Sequence, residues 1–160
     1  MRRLAGDARI ADTMTSIPHP YPEGEAERWI AGLSRAFTER TEIAFAVELR
    51  TNGALAGTVS LLEISEKHSR AELGYWIAFE HWGKGICTEA GCRLNAFANE
   101  YLGVTRIVAR CMARNPASAR VMEKSGLKRE GYLHKHTLKN GRYEDMLLYG
   151  LVLPGRGGEA

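Results

Sequence analysis

Ala71-Glu72-Leu73-Gly74-Tyr75-Trp76-Ile77-Ala78-Phe79-Glu80-His81-Trp82-Gly83-Lys84-Gly85-Ile86-Cys87-Thr88-Glu89-Ala90 decides the fold, because it reads as a buried strand running directly into a glycine-rich turn that opens a helix. Leu73, Tyr75, Ile77 and Phe79 fall on one face of a period-two pattern, while Gly74, Trp76 and Ala78 make the other face apolar or small, as in a central strand. In the turn Trp82-Gly83-Lys84-Gly85, two glycines let the backbone bend tightly and approach a ligand. The first free N–H groups of the following helix, together with the positive end of its dipole, then form an anion site.

Several phosphate-binding loops share this chemistry, and spacing separates them. A P-loop places its lysine after the second glycine, whereas Lys84 lies between the two. A dinucleotide fingerprint needs a small residue where Thr88 stands and an acid about twenty positions on; positions 103 to 112, GVTRIVARCM, contain none. A Rossmann-like nucleotide binder is therefore the weaker reading.

The run Trp82-Gly83-Lys84-Gly85-Ile86-Cys87-Thr88-Glu89-Ala90 resembles the pyrophosphate-binding turn of the GNAT superfamily of N-acetyltransferases, and in particular their ribosomal-protein N-acetyltransferase-like (RimJ/RimL-type) branch. The superfamily pattern is Arg/Gln-x-x-Gly-x-Gly/Ala; here Trp82 takes the first place and Cys87, still small, the last. A second stretch, Asn115-Pro116-Ala117-Ser118-Ala119-Arg120-Val121-Met122-Glu123-Lys124-Ser125-Gly126-Leu127, resembles the branch's Asn-x-x-Ser-x-x-Val-x-Glu-Lys-x-Gly-Phe. Two motifs in the right order carry far more weight than a glycine turn alone, and the likeness runs from about Pro20 to Leu153.

This resemblance implies acetyl-CoA as cosubstrate. Its pyrophosphate would rest on Trp82, Gly83, Lys84, Gly85, Ile86, Cys87 and Thr88, and its pantetheine arm would pair like an added strand with Trp76, Ile77 and Ala78. Asn115 would hold the same arm, and Ser118 would lie near the sulfur as a donor to the leaving thiolate. Glu72, near the start of the central strand, is the implied general base, acting directly or through water, against the plainer reading of a structural strand-end acid. Many relatives carry a tyrosine acid where this chain has Met122, which leaves Tyr132 and Tyr149 as substitutes. The implied reaction is direct transfer to a primary amine in a ternary complex. An α-amino group with a pKa of about 8 demands less of a base than a lysine at about 10.4, so a protein N-terminus is the favoured acceptor. A small-molecule amine, such as a polyamine or antibiotic, and a non-catalytic acyl-CoA-binding module are the alternatives.

The 160 residues suit one domain over 1–160 that buries about two thirds of its unfolded surface. With 22 basic and 19 acidic residues interspersed, the net charge of +3 gives no nucleic-acid face. Cys87, Cys92 and Cys111 are odd in number and lack disulfide or zinc spacing; with no signal peptide or long apolar run, the expectation is a cytoplasmic protein without a membrane partner. His68, His134 and His136 lack further ligands at metal spacing, so no metal is expected.

The expected fold is α/β: a GNAT-like mixed sheet of six to seven strands with helices on both faces. Residues 6 to 14 form a short helix with Ile10 and Met14 on one side, with only Arg2, Arg3 and Leu4 before it, so the family's first strand is shortened or absent. An edge left bare in this way would favour a homodimer. Pro18, Pro20 and Pro22 make a stiff loop. Positions 23 to 40 read as an amphipathic helix with Trp29, Ile30, Leu33 and Phe37 on its apolar face. Positions 43–49 and 55–61 alternate as meander strands around Asn52-Gly53. Positions 88–102 make a helix with Ala90, Leu94, Phe97, Ala98 and Tyr101 inward, and 104–112 a second buried strand, parallel to the first by a right-handed crossover. Asn115 caps the next helix and Gly126 ends it; 132–138 and 143–153 form a terminal hairpin around Asn140-Gly141, and 154–160 a frayed tail.

Overall fold

The computed structural model describes residues 1–155; the rest of the expected tail lies outside the described residues. The elements are α1 (Arg2–Ala5), α2 (Ala8–Thr13), α3 (Glu25–Thr38), β1 (Ile43–Glu48), β2 (Leu55–Ser65), β3 (Arg70–Ile77), α4 (Ile86–Leu102), β4 (Arg106–Met112), α5 (Pro116–Lys124), β5 (Lys128–Lys139) and β6 (Arg142–Val152). The strands form one six-stranded sheet in the order β1-β2-β3-β4-β6-β5. Only β3 and β4 run parallel; every other pair is antiparallel. The mixed sheet, its meander and its terminal hairpin are those expected, and ahead of Ile43 the described residues form helices rather than a strand.

The parallel pair is short. Its register runs only from Arg70 opposite Arg106 to Glu72 opposite Val108, although β3 continues to Ile77 and β4 to Met112. Beyond Glu72 the two strands splay, and the cleft opens there. Because successive side chains point to opposite faces, the odd positions of both strands, Ala71, Leu73, Ile107, Ala109 and Cys111, enter one core with Leu94 and Ala98 of α4 and Ala119 and Met122 of α5. The even positions, Glu72, Trp76, Arg110 and Met112, take the other face. There Trp76 packs with Ala5 and Ile10, so α1 and α2 cover the face that α4 and α5 leave open. Leu61 and Ile107 are fully enclosed, and truncating either to alanine costs about 2–5 kcal/mol.

Two expected faces are less buried than their period suggests. On α3 only Ala26 is buried; Ile30 and Phe37 remain 52% and 60% exposed, since the helix lies beside edge strand β1 rather than across the sheet. On α4, Leu94 and Ala98 are inside but Tyr101 is 68% exposed, stacked on Phe97, which meets Phe45 edge to face. The hairpin turn takes left-handed backbone at Asn140 and Gly141 (φ 50° and 76°), as a two-residue turn requires.

Candidate active site

A cavity of about 720 Å³ fills the splay. Its walls include Glu72, Tyr75, Trp76 and Ile77 of β3, the turn at Trp82, Gly83 and Gly85, the start of α4 at Ile86, Cys87 and Thr88, and Asn115 and Ser118 at the start of α5. The fold thus brings together nearly all of the residues singled out in the sequence. Lys84 and Ala78 do not line the cavity; Lys84 is exposed and Ala78 is 1% exposed within the protein.

Gly83 and Gly85 have φ of 74° and 79°, the left-handed region, and Gly85 is the N-cap residue of α4. A Cβ built on either would meet nothing within 4 Å. The glycines are therefore demanded by backbone angle and by space kept clear in front of a helix N-terminus, which is the arrangement that suits a pyrophosphate. Trp82 explains its place at the head of the motif: its Nε1 donates to the Ile77 carbonyl at 2.7 Å and its ring lies 5.2 Å from that of Phe79, tying the turn to the end of β3. Burial pushes the Cys87 thiol up to about 12, so it is a neutral packing group and not a nucleophile.

The strand edge offered to an extended arm differs from the one expected. The Ala78 amide donates to Ala56 at 2.8 Å, and Trp76 stands opposite Thr58 in the same ladder. Backbone groups alternate sides along an antiparallel strand, so those of Trp76 and the Ala78 amide are spent on β2, while the Ala78 carbonyl accepts from the His81 amide at 2.8 Å. Those of Tyr75 and Ile77 point toward the splay. Of the three residues expected to pair with a pantetheine arm, Ile77 turns its amide to the splay while its carbonyl accepts from Trp82 Nε1, and Tyr75 faces the same way.

Glu72 projects from the even face of β3 and is held at both carboxylate oxygens by one arginine. Arg110 on β4 donates from Nε to Oε1 at 3.1 Å and from Nη2 to Oε2 at 2.5 Å, and also reaches Glu63 at 3.2 Å. These contacts raise the guanidinium's pKa. The separation of 38 positions between Glu72 and Arg110 hid this pair from sequence reasoning; the one available signal was that both fall on even positions of the two parallel strands.

Asn115 caps α5, its Oδ1 accepting from the Ser118 amide at 3.1 Å, so the cap uses only the oxygen of the side chain. Ser118 meets Tyr75: the tyrosine hydroxyl donates to the Ser118 carbonyl at 3.1 Å and lies 2.8 Å from Ser118 Oγ. Tyr75, read in the sequence only as a buried strand residue, is the cavity's tyrosine. Met122 is buried at 1%, and the two proposed substitutes are elsewhere: Tyr149 bonds Glu123 inside the protein, and Tyr132 bonds Asp145 at the surface. No group of three or more potential metal ligands occurs among the described residues.

A parallel pair that splays beside a glycine turn is the frame of an acyl-CoA-dependent transferase, and comparison with known proteins assigns it. Residues 2–128 match the family model described as acetyltransferase (GNAT) domain; the chain belongs to that family and is an acetyl-CoA-dependent N-acetyltransferase. It is 32% identical over 130 residues to the uncharacterised N-acetyltransferase YoaA of Bacillus subtilis (strain 168), covering 81% of this chain and 73% of that one. It is likewise 32% identical over 102 residues to the ribosomal-protein-serine acetyltransferase of Escherichia coli (strain K12), covering 62% of this chain and 55% of the relative. Among solved structures, spermidine N-acetyltransferase from Vibrio cholerae in complex with CoA and spermine superposes with a TM-score of 0.80 at 26% identity, over 94% of this chain and 86% of that one.

Proposed function

We infer that the acceptor is the α-amine of a protein or peptide N-terminus, acetylated directly from acetyl-CoA in a ternary complex. The observation that carries this reading is the two-point pairing of Glu72 with Arg110. A carboxylate whose two oxygens both accept from one guanidinium is placed to orient a water or an incoming amine. An α-amine, with a pKa of about 8, is partly neutral already, whereas a lysine or polyamine near 10.4 depends on a strong base. Two further acids on this side are also engaged, Asp12 and Glu144, both by Arg114. A polycation would therefore compete with an arginine for each of these carboxylates.

In this scheme the backbone from Gly83 to Thr88 holds the pyrophosphate, Tyr75 and Ile77 pair with the pantetheine amides, and Asn115 adds a side-chain contact. The amine nitrogen attacks the thioester carbon, the C–S bond breaks with its electron pair on sulfur, and Ser118 donates a hydrogen bond to that sulfur. Glu72 holds the water that accepts the amine's proton. The likeness to spermidine acetyltransferase supports a second reading, a polyamine acceptor. Thiol release near neutral pH with N-terminal peptides, spermidine and an aminoglycoside decides between them. Peptide amines are expected to exceed spermidine at least about tenfold in kcat/KM; the reverse order overturns the α-amine reading.

A further inference from the structure

Tyr75 points from the odd face of β3 toward the start of α5, and its hydroxyl contacts two oxygens of one residue. The Ser118 carbonyl is 3.1 Å away and Ser118 Oγ 2.8 Å. A tyrosine has one hydroxyl proton and so does a serine, while three oxygens here can accept. One arrangement closes the set upon itself: Tyr75 donates to the carbonyl, and Ser118 Oγ donates back to Tyr75. A second arrangement opens it: Tyr75 donates to Ser118 Oγ, and the serine proton turns either to the Cys111 thiol, which also bonds the Ser118 side chain, or to a further acceptor in the cavity that all three residues line. Only hydroxyl protons turn between the two.

Resting on the reading that Ser118 serves the thioester sulfur, we propose that Tyr75 is a positioning residue for thiolate release, holding the Ser118 side chain and donating to its Oγ so that the serine proton is directed at the sulfur. Burial raises the phenol's pKa, so Tyr75 keeps its proton throughout and acts as a fixed donor. The balance is simple. The C–S bond breaks, sulfur takes the electron pair, Ser118 donates a hydrogen bond without surrendering its proton, and the proton that finally neutralises the thiol comes from the acceptor amine through solvent. A donor polarised by a second donor is stronger than either alone, which is the role left open where Met122 replaces the familiar acid.

The test compares wild type, Y75F, S118A and the double variant in two ways. First, binding of CoA and of desulfo-CoA, which lacks the sulfur, is measured at about pH 7 and about pH 9, either side of an ordinary thiol pKa of about 8.5. Wild type is expected to favour CoA over desulfo-CoA increasingly as pH rises and the thiolate forms, by up to about tenfold. Y75F and S118A lose that gain. Second, kcat for a turned-over amine falls about tenfold in Y75F with the KM for acetyl-CoA within about twofold, and Y75F adds nothing in the S118A background. A purely structural strut would weaken both nucleotides alike and would add its loss to that of S118A; either result overturns the proposal, as does wild-type behaviour of S118A. S118A removes the same Oγ from the helix side and keeps the binding test valid should Y75F not fold. Absence of turnover with peptide amines, alongside the pH-dependent preference for CoA, overturns the acceptor reading and supports this one.

Discussion

At the scale of single residues, the site is governed by which polar atoms are already taken. Glu72 illustrates this. The Arg110 fork engages both of its oxygens, which places it as an acceptor for a water or an ammonium. E72Q is therefore expected to lower kcat with a peptide amine by about a hundredfold near neutral pH, the low end of what proton transfer contributes. The loss shrinks as pH rises toward about 9, where an α-amine with a pKa of about 8 has shed its proton unaided. A pH-rate profile of the variant checks this, and a loss constant across pH would place Glu72 in structure rather than in proton handling. Cys87 shows the same logic reversed: a thiol pushed up to about 12 by burial fills space where the turn needs a small side chain.

At the scale of elements, short-range chemistry was legible in the sequence and pairing across the sheet was not. The glycine turn, the Asn115 cap and the Asn140-Gly141 hairpin each depend on residues within a few positions of one another, so spacing alone located them. The edge of β3 depends on its register with β2, which no local pattern records; hence Trp76 and Ala78 appeared open to a ligand when the backbone of Trp76 and the Ala78 amide face Thr58 and Ala56. The period of α3 was also legible, but period says nothing of what lies opposite, and Ile30 and Phe37 remain exposed. The turn itself supports a prediction. G85A introduces no clash, yet an alanine at φ 79° costs about 1–2 kcal/mol. Relief of that strain would rotate N–H groups away from the anion, so the dissociation constant for acetyl-CoA, measured by titration, is expected to rise about tenfold or more. The β5–β6 hairpin supports another. Arg106 donates to Glu130 at 2.7 Å and holds its carboxyl below the usual range. A depressed carboxyl contributes stability above its unfolded value of about 4.3 and loses it as pH falls through the lower folded value. Melting curves should therefore show E130Q less stable than wild type near neutral pH, with the gap closing below about pH 4.

At the scale of the whole molecule, the sheet divides the groups that the proposed scheme assigns to each substrate. The glycine turn, α5 and the odd face stand on one side, and Glu72, Arg110 and the N-terminal segment on the even face. That segment is fastened at several points. Ile10 packs on Trp76, Lys139 Nζ donates to the Met14 carbonyl at 2.5 Å, and Arg114 joins Asp12 of α2 to Glu144 of β6 at 2.8 and 3.0 Å. The Arg114–Asp12 pair, with side-chain exposure of 41% at Arg114 and 65% at Asp12, contributes at most about 1 kcal/mol to stability. Its larger effect is on placement, because Ile10, Thr13 and Met14 form one wall of the cavity. Arg114→Ala is accordingly expected to leave the melting temperature within a few degrees while raising the KM for the amine severalfold, with the KM for acetyl-CoA unchanged. Steady-state kinetics with each substrate varied in turn separates these outcomes. Equal increases in both constants would mean that α2 braces the whole cleft, and an unchanged amine KM would mean that the acceptor enters without touching this wall.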